Sequence, residues 1–318
     1  MKMSVVIPTH APNLTRFERT LCGLREQQVA RDSWELLVID NASPNQQLFS
    51  NCDLSWHPSA SIIREERLGL TPARIAGIRA SQGDYLVFVD DDNVLSPNYL
   101  EDVIKIFEQH PHLGAIGGKS LPEFEVEPEP WVTEFFKCLA LRNPGEETQI
   151  YSHAGASSSE ASRHLTSYPE FAPIGAGMAL RREAAELYMN HIAGNNTRLS
   201  LDRTGRSLNS GGDNDIVLTL MEQGWEVGYF PQLQLTHLIP ASRLTRDYLA
   251  RINRASSRSW VQVLDMHSLR VWQKIPRWTV LPRKIKAFFH YQAWKGSAAY
   301  VSWQGACGLF EGLGALPR

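Results

Sequence analysis

The run Tyr85-Leu86-Val87-Phe88-Val89 is continuously apolar and ends abruptly in Asp90-Asp91-Asp92-Asn93. An unbroken apolar run of this length, rich in β-branched and aromatic residues, reads as a strand buried on both faces, the pattern of a parallel sheet covered by helices. Such a strand delivers carboxylates to its own C-terminal end, the edge at which open α/β sheets bind ligands. Adjacent acids repel one another unless a cation or bound hydroxyls compensate them. Oxygen-only ligands favour Mg²⁺ or Mn²⁺, which keep coordination positions for substrate phosphates. A solvated acidic turn is the plain alternative, and the position directly after a buried strand favours a site.

The flanking sequence repeats the same device. Met3 to Thr9 reads as a first strand stopped at Pro8, followed by a helix capped by Asn13 or Thr15 and running to about Val29. Trp34 to Ile39 is a second strand ending in Asp40-Asn41-Ala42-Ser43, and Ser61 to Arg64 a third. A helix from about Pro72 to Ala80 then leads into the central strand. Beyond it follow a helix from Ser96 to about His110, a strand at Gly114–Gly118, an irregular stretch from Leu121 to Pro130, and a Ser/Ala/His-rich lid candidate at 145–168. A strand ending near Leu180, a helix from Arg182 to about Met189, a helix starting at Gly212-Asp213-Asn214-Asp215, and strands at Trp225–Phe230 and Leu233–His237 complete the alternation. The order predicts an α/β fold with a mostly parallel sheet and helices on both faces.

Composition narrows the function classes. With 32 basic and 34 acidic residues, the net charge of −2 gives no argument for nucleic-acid binding. The charge is unevenly spread: from Pro240 onward there are 13 basic and 3 acidic residues, and five of the nine tryptophans lie in the same tail. Cys22, Cys52, Cys138 and Cys307 are scattered without metal-type spacing, which fits a reducing compartment. No apolar run is long enough for a spanning helix, and the first residues lack a signal-peptide pattern, so the expectation is a cytoplasmic protein.

Four segments in this order resemble the family 2 glycosyltransferases of the GT-A fold: Val5-Val6-Ile7-Pro8-Thr9; Leu37 to Ser43; Gly69 to Gly77 leading to Val89-Asp90-Asp91-Asp92-Asn93; and Gly212 to Ile216. Gly175 to Arg182 lies between the last two, and the resemblance extends from Met3 to about Arg243. It implies a GT-A catalytic domain over 1–240, with a nucleotide-sugar half to about 118 and an acceptor half beyond, followed by a basic helical extension over 241–318.

The resemblance also implies roles. Pro8, Thr9, Asp40 and Asn41 would border the nucleobase of a nucleotide-diphosphate sugar, UDP first among them, because a strand-end carboxylate can accept the imide N–H of uracil. Arg67 or Arg74 would complete that pocket. Asp91 would hold the ribose hydroxyls, with Asp90 also in the nucleotide site, and Asp92 with His237 would bind Mn²⁺ or Mg²⁺ at the diphosphate. Asp213 would be the general base of an inverting transfer to a glycan or lipid-linked acceptor, since direct displacement needs a carboxylate apart from the metal acids. Asp215 is its rival, but two residues further along a helix it points about 200° away. Two positions depart from the family pattern: Gly212 stands where a Glu is usual, and Ile75 where many relatives have Asn.

Competing readings remain beside this one. Asp90-x-Asp92-x-Val94 fits the nucleophile motif of haloacid-dehalogenase-like phosphatases, though that fold places it on an early strand. A non-catalytic nucleotide-sugar-binding protein on the same fold is another. For the tail two readings stay open: peripheral contact with the anionic inner face of a membrane, or packing on the catalytic domain or in a homodimer.

Overall fold

The computed structural model describes all residues except 46–48, 50–51, 153–164, 166, 205–206, 270 and 318. The first half is a repeated strand-helix unit: β1 (Met3–Thr9), α1 (Leu14–Arg25), β2 (Trp34–Asn41), β3 (Ala60–Glu65), α2 (Leu70–Ala80) and β4 (Tyr85–Phe88). Asn13 caps α1, its side chain accepting from the Arg16 N–H at 3.1 Å. β5 (Asn93–Leu95) and α3 (Tyr99–Gln109) follow, then β6 (Leu113–Phe124), β7 (Gln149–Tyr151), β8 (Ala179–Arg181), α4 (Arg182–Ile192), the single turn α5 (Asn196–Leu199), α6 (Gly212–Glu222) and β9 (Glu226–Ile239). The tail supplies α7 (Arg246–Met266), α8 (Val280–His290) and α9 (Ser297–Ala315).

Among the described residues the strands form one sheet in the order β3-β2-β1-β4-β8-β6-β9-β5, with β7 also on β9. β3, β2, β1 and β4 are parallel, as are β6 and β9, whereas β8, β5 and β7 join antiparallel. Alternate residues of the parallel block supply two cores. Val6, Leu37, Leu86 and Phe88 face α2, α4, α6 and α7 on one side. Val5, Ile7, Leu36, Val38 and Val87 face α1 and α3 on the other. Helices therefore cover both faces, which is why these strands read as continuous apolar runs.

Three expectations change at the far half of the sheet. Leu121 to Phe124 continue β6 instead of forming an irregular loop, because Lys119 to Phe124 pair with Gln234 to Ile239. The two strands expected at 225–237 are one strand, β9. The register shift between Gly117 and Lys119 sets Phe230–Leu233, with Pro231 and its missing N–H, opposite Gly118 alone. Within the lid candidate, Gln149–Tyr151 pair with β9, and most of the remaining residues lie outside those described.

The tail packs on this frame through α7. Val263 and Leu264 enter the first core, and Leu249, Ala250 and Ile252 close a third cluster with Val132, Phe135, Leu139, Ile239 and Val301. No helix among the described residues is long and apolar enough to cross a membrane.

Candidate active site

The C-terminal ends of β1, β2 and β4 open into a cavity of about 310 Å³. β4 stops at Phe88, the chain turns through Asp90-Asp91-Asp92, and it returns as β5 against the end of β9. The register Asn93↔His237 and the bond from Leu238 N–H to the Asp92 carbonyl (2.9 Å) set Asp92 beside His237, although 145 positions separate them in the chain. Oδ1 of Asp92 lies 3.4 Å from Nε2 of His237. Its Oδ2 lies 3.0 Å from Nη1 of Arg243, a residue that follows β9.

These partners divide the acids electrostatically. Burial opposes the charge of Asp92, but His237 and Arg243 outweigh it and hold this carboxyl well below the usual carboxylate range. Asp91 receives a hydrogen bond from the Thr9 hydroxyl at 2.5 Å, yet burial and the Asp92 charge push its pKa up to about 7. One acid is a fixed anion, and its neighbour is poised to gain a cationic or hydroxyl partner.

A further part of the lining comes from the start of α6. Asp213 accepts from the backbone N–H of Gly175 (3.0 Å) and of Asn214 (2.9 Å). Burial raises its pKa and Asp202 raises it further, against Arg74 and the two N–H donors. Arg74 is buried, with Nη1 3.2 Å from Asp202 Oδ2 and its guanidinium over the Phe88 ring. A β-carbon at Gly175 would lie 2.3 Å from Arg74 Nη2, so any side chain there would have to displace that guanidinium. Asp215 faces elsewhere: fully buried, it accepts from Arg198 Nε (3.0 Å) and Tyr188 Oη (3.1 Å), and His267 Nε2 lies 2.9 Å away.

Pro8, Thr9, Asn41, Arg74, Asp90, Asp91, Asp92, Asp213 and His237 all line the cavity. Asp40 and Arg67 do not. The Asp40 carboxylate turns to Arg64 Nη1 at 2.6 Å and the Ser43 N–H at 3.1 Å. Burial works against its charge, but Ser43 and Arg64 prevail and lower its pKa. Arg67 points outward, donating to Asn196 Oδ1 at 3.0 Å. Its carbonyl accepts from Asn41 Nδ2 at 2.8 Å, and Asn41 Oδ1 accepts from the Gly69 N–H at 2.7 Å. Asn41 thus positions the loop leading into α2. Asp202, Arg203 and Arg243 line the cavity without having been singled out in the sequence. All three come from loop or strand-exit segments with no periodicity to mark them.

Residues 4–188 match the family described as Glycosyl transferase family 2. Among curated relatives, an uncharacterized glycosyltransferase of Haemophilus influenzae is 28% identical over 115 residues, 36% of this chain and 37% of that protein. A glucosyl-dolichyl phosphate glucuronosyltransferase of Haloferax volcanii is 24% identical over 149 residues, 46% of this chain and 47% of its own length. The chain thus spans less than half the length of these relatives. The solved structure of S. aureus TarS 1-349 is similar with a TM-score of 0.52 at 14% identity, covering 96% of this chain and 90% of that one. The same protein in complex with UDP gives 0.50 at 15% identity over the same shares. This likeness shows the GT-A fold, and the family match sets the phosphatase reading aside. With the acid-ended central strand and the cavity it opens into, the chain belongs to glycosyl transferase family 2.

Proposed function

We propose that this enzyme transfers a sugar from a nucleotide-diphosphate sugar, UDP-linked first among the candidates, to a hydroxyl of a glycan or lipid-linked acceptor, with inversion. The observation that supports it is one cavity lined both by Asp91, Asp92 and His237, where Asp92 and His237 lie side by side, and by Asp213 of α6, a carboxylate held by the Gly175 N–H rather than by His237 or Arg243. In a single displacement the acceptor oxygen bonds the anomeric carbon, the bond to the diphosphate oxygen breaks, and the diphosphate leaves with the electron pair. The acceptor proton goes to Asp213, whose raised pKa suits a base.

A divalent cation fits the donor set. Asp92 and His237 offer one hard oxygen donor and one imidazole nitrogen, Nε2, side by side, with Arg243 Nη1 3.3 Å from the same nitrogen. No three His, Cys, Asp or Glu side chains converge there among the described residues, so diphosphate oxygens would complete the shell, the usual arrangement for Mg²⁺ or Mn²⁺. When bound, the cation would compensate charge developing on the leaving diphosphate. Arg243, already paired with Asp92, adds a fixed cation to the same side.

The test is calorimetric titration of UDP, GDP and dTDP with and without Mn²⁺, followed by a hydrolysis screen of the matching sugar nucleotides. Metal-dependent binding of one diphosphate with slow hydrolysis of its sugar is expected. Absence of binding by all three would overturn the reading.

A further inference from the structure

We propose that α8 and its flanks form a docking face for an anionic lipid bilayer, with the helix lying in the plane of the headgroups. This rests on nothing in the transfer reaction, because vesicle binding is read without nucleotide or acceptor.

The helix divides into three faces. Val280, Lys284, Ala287 and Phe288 turn toward α9, where Lys284 pairs with Glu311, the Trp303 indole N–H donates to the Lys284 carbonyl at 3.0 Å, and the Phe288 and Trp303 rings meet edge to face. Leu281, Ile285 and Phe289 stand at i, i+4 and i+8, a single row about 100° or more round the helix from that contact. They are 65%, 52% and 63% exposed, and Trp278 (79%) and Trp294 (56%) extend the row at its two ends. Arg283, Lys286 and His290 occupy the third face, exposed beside the apolar row. Indoles at the ends, aliphatic and phenyl groups between them, and cations on the flank match an interfacial helix.

Charge decides between a bilayer and a second protein surface. From Met266 to Phe310 the chain has seven lysines and arginines and no aspartate or glutamate. Among the described residues Arg283, Lys286 and Lys295 pair with no carboxylate. A two-fold contact between copies would set this uncompensated basic flank near its own equivalent, because a self-complementary interface pairs each patch with itself. Protein interfaces are moreover depleted in lysine. An anionic leaflet attracts the same cations. Arg283, Lys286 and His290 also border a groove of about 520 Å³ floored by Trp260, Leu309 and Phe310, so a headgroup held at the basic rim has apolar surface behind it.

The experiment is co-sedimentation of the full chain with vesicles of phosphatidylcholine alone or with about one third phosphatidylglycerol, paired with tryptophan emission. Binding to the anionic vesicles only, weakened by salt, with a blue shift from Trp278 and Trp294, is expected. Each basic residue near such a surface is worth about fivefold in partitioning, so Arg283→Glu/Lys286→Glu should weaken binding by more than about twentyfold. Ile285→Glu/Phe289→Glu should abolish the blue shift. Both pairs are exposed, so circular dichroism and melting should stay as in the parent. No binding to anionic vesicles at low salt would overturn the proposal, and so would binding undiminished in both variants. So would a dimer in sedimentation equilibrium that Ile285→Glu/Phe289→Glu dissociates, since a second copy would then own the face.

Discussion

The carboxylate of Asp202 fills the space into which a side chain at residue 212 would project: a β-carbon on Gly212 would lie 2.5 Å from Asp202 Cγ. An acid thus reaches the start of α6 from a loop ten residues earlier. Asp202 cannot simply swing aside. Its oxygens accept from the Gly212 N–H (2.9 Å), Thr71 Oγ1 (3.2 Å) and Arg74 Nη1 (3.2 Å), joining α6 to α2 beneath the cavity.

Gly212→Ala should therefore destabilise the protein by about 1–3 kcal/mol, the usual cost of overpacking a filled interior, and weaken nucleotide binding through Arg74. In an Asp202→Gly background the same substitution should cost much less, because the clash has been removed. Melting curves for the four proteins close the cycle. Strict additivity of the two changes would show that the contact is not the cause.

Asp92→Ala should abolish transfer together with metal-dependent nucleotide binding, lowering kcat by more than about 10²-fold if the cation supplies several kcal/mol at the leaving group. Arg243→Ala makes a complementary case. In the metal-free protein it removes the guanidinium 3.0 Å from the Asp92 anion, so added Mn²⁺ should raise Tm more in this variant than in the parent. Full turnover in EDTA would remove the cation from the mechanism.

What the sequence discloses follows from what period and strand ends can carry. Val5 to Thr9, Leu36 to Asp40 and Tyr85 to Asp92 announce themselves because a strand buried on both faces has no polar residues until it ends, and the end is where ligands gather. Asp92 and His237 were nameable separately, but their adjacency depends on the register Asn93↔His237, which no local pattern encodes. Asp202 and Arg243 were not nameable at all. Each owes its place to a contact with a distant residue, Asp202 with Arg74 and Arg243 with Asp92, made from segments without hydrophobic periodicity. Asp40 shows the converse: its strand-end position is legible, while its capture by Arg64, from the adjacent β3, is a matter of pairing.

His267 closes α7 against α6, with Nε2 2.9 Å from Asp215 and Nδ1 2.9 Å from Glu222. Burial disfavours its charge, but the two carboxylates prevail and raise its pKa above the ordinary value. A group whose folded pKa is raised contributes stability that is complete below the unfolded pKa of about 6.5 and is lost as pH rises through the folded value. His267→Gln should therefore melt lower than the parent at pH 6, by about 1.5–3 kcal/mol for hydrogen bonds to charged groups. The gap should narrow toward pH 9. A gap constant from pH 6 to pH 9 would mean that packing, not the imidazolium, holds α7 here.

Asp213 and Asp215 provide the sharpest separation between chemistry and architecture. They stand two residues apart on α6, yet Asp213 lines the cavity with two backbone N–H donors, and Asp215 is enclosed by Arg198, Tyr188 and His267. Asp213→Asn keeps an acceptor oxygen for one of those N–H groups and cannot take a proton, so kcat should fall by about 10²-fold or more while nucleotide affinity is retained. Asp215→Asn breaks a buried ionic cluster, and its effect should be a loss of about 3–5 kcal/mol of stability with the turnover of the folded fraction preserved. The pH profile gives an independent readout. Because burial and Asp202 raise the Asp213 pKa, kcat/KM should fall on the acid side through an ionisation above the ordinary carboxylate range, and that limb should vanish in Asp213→Asn. Retained turnover in Asp213→Asn, with its loss in folded Asp215→Asn, would assign the base to the wrong face of the helix.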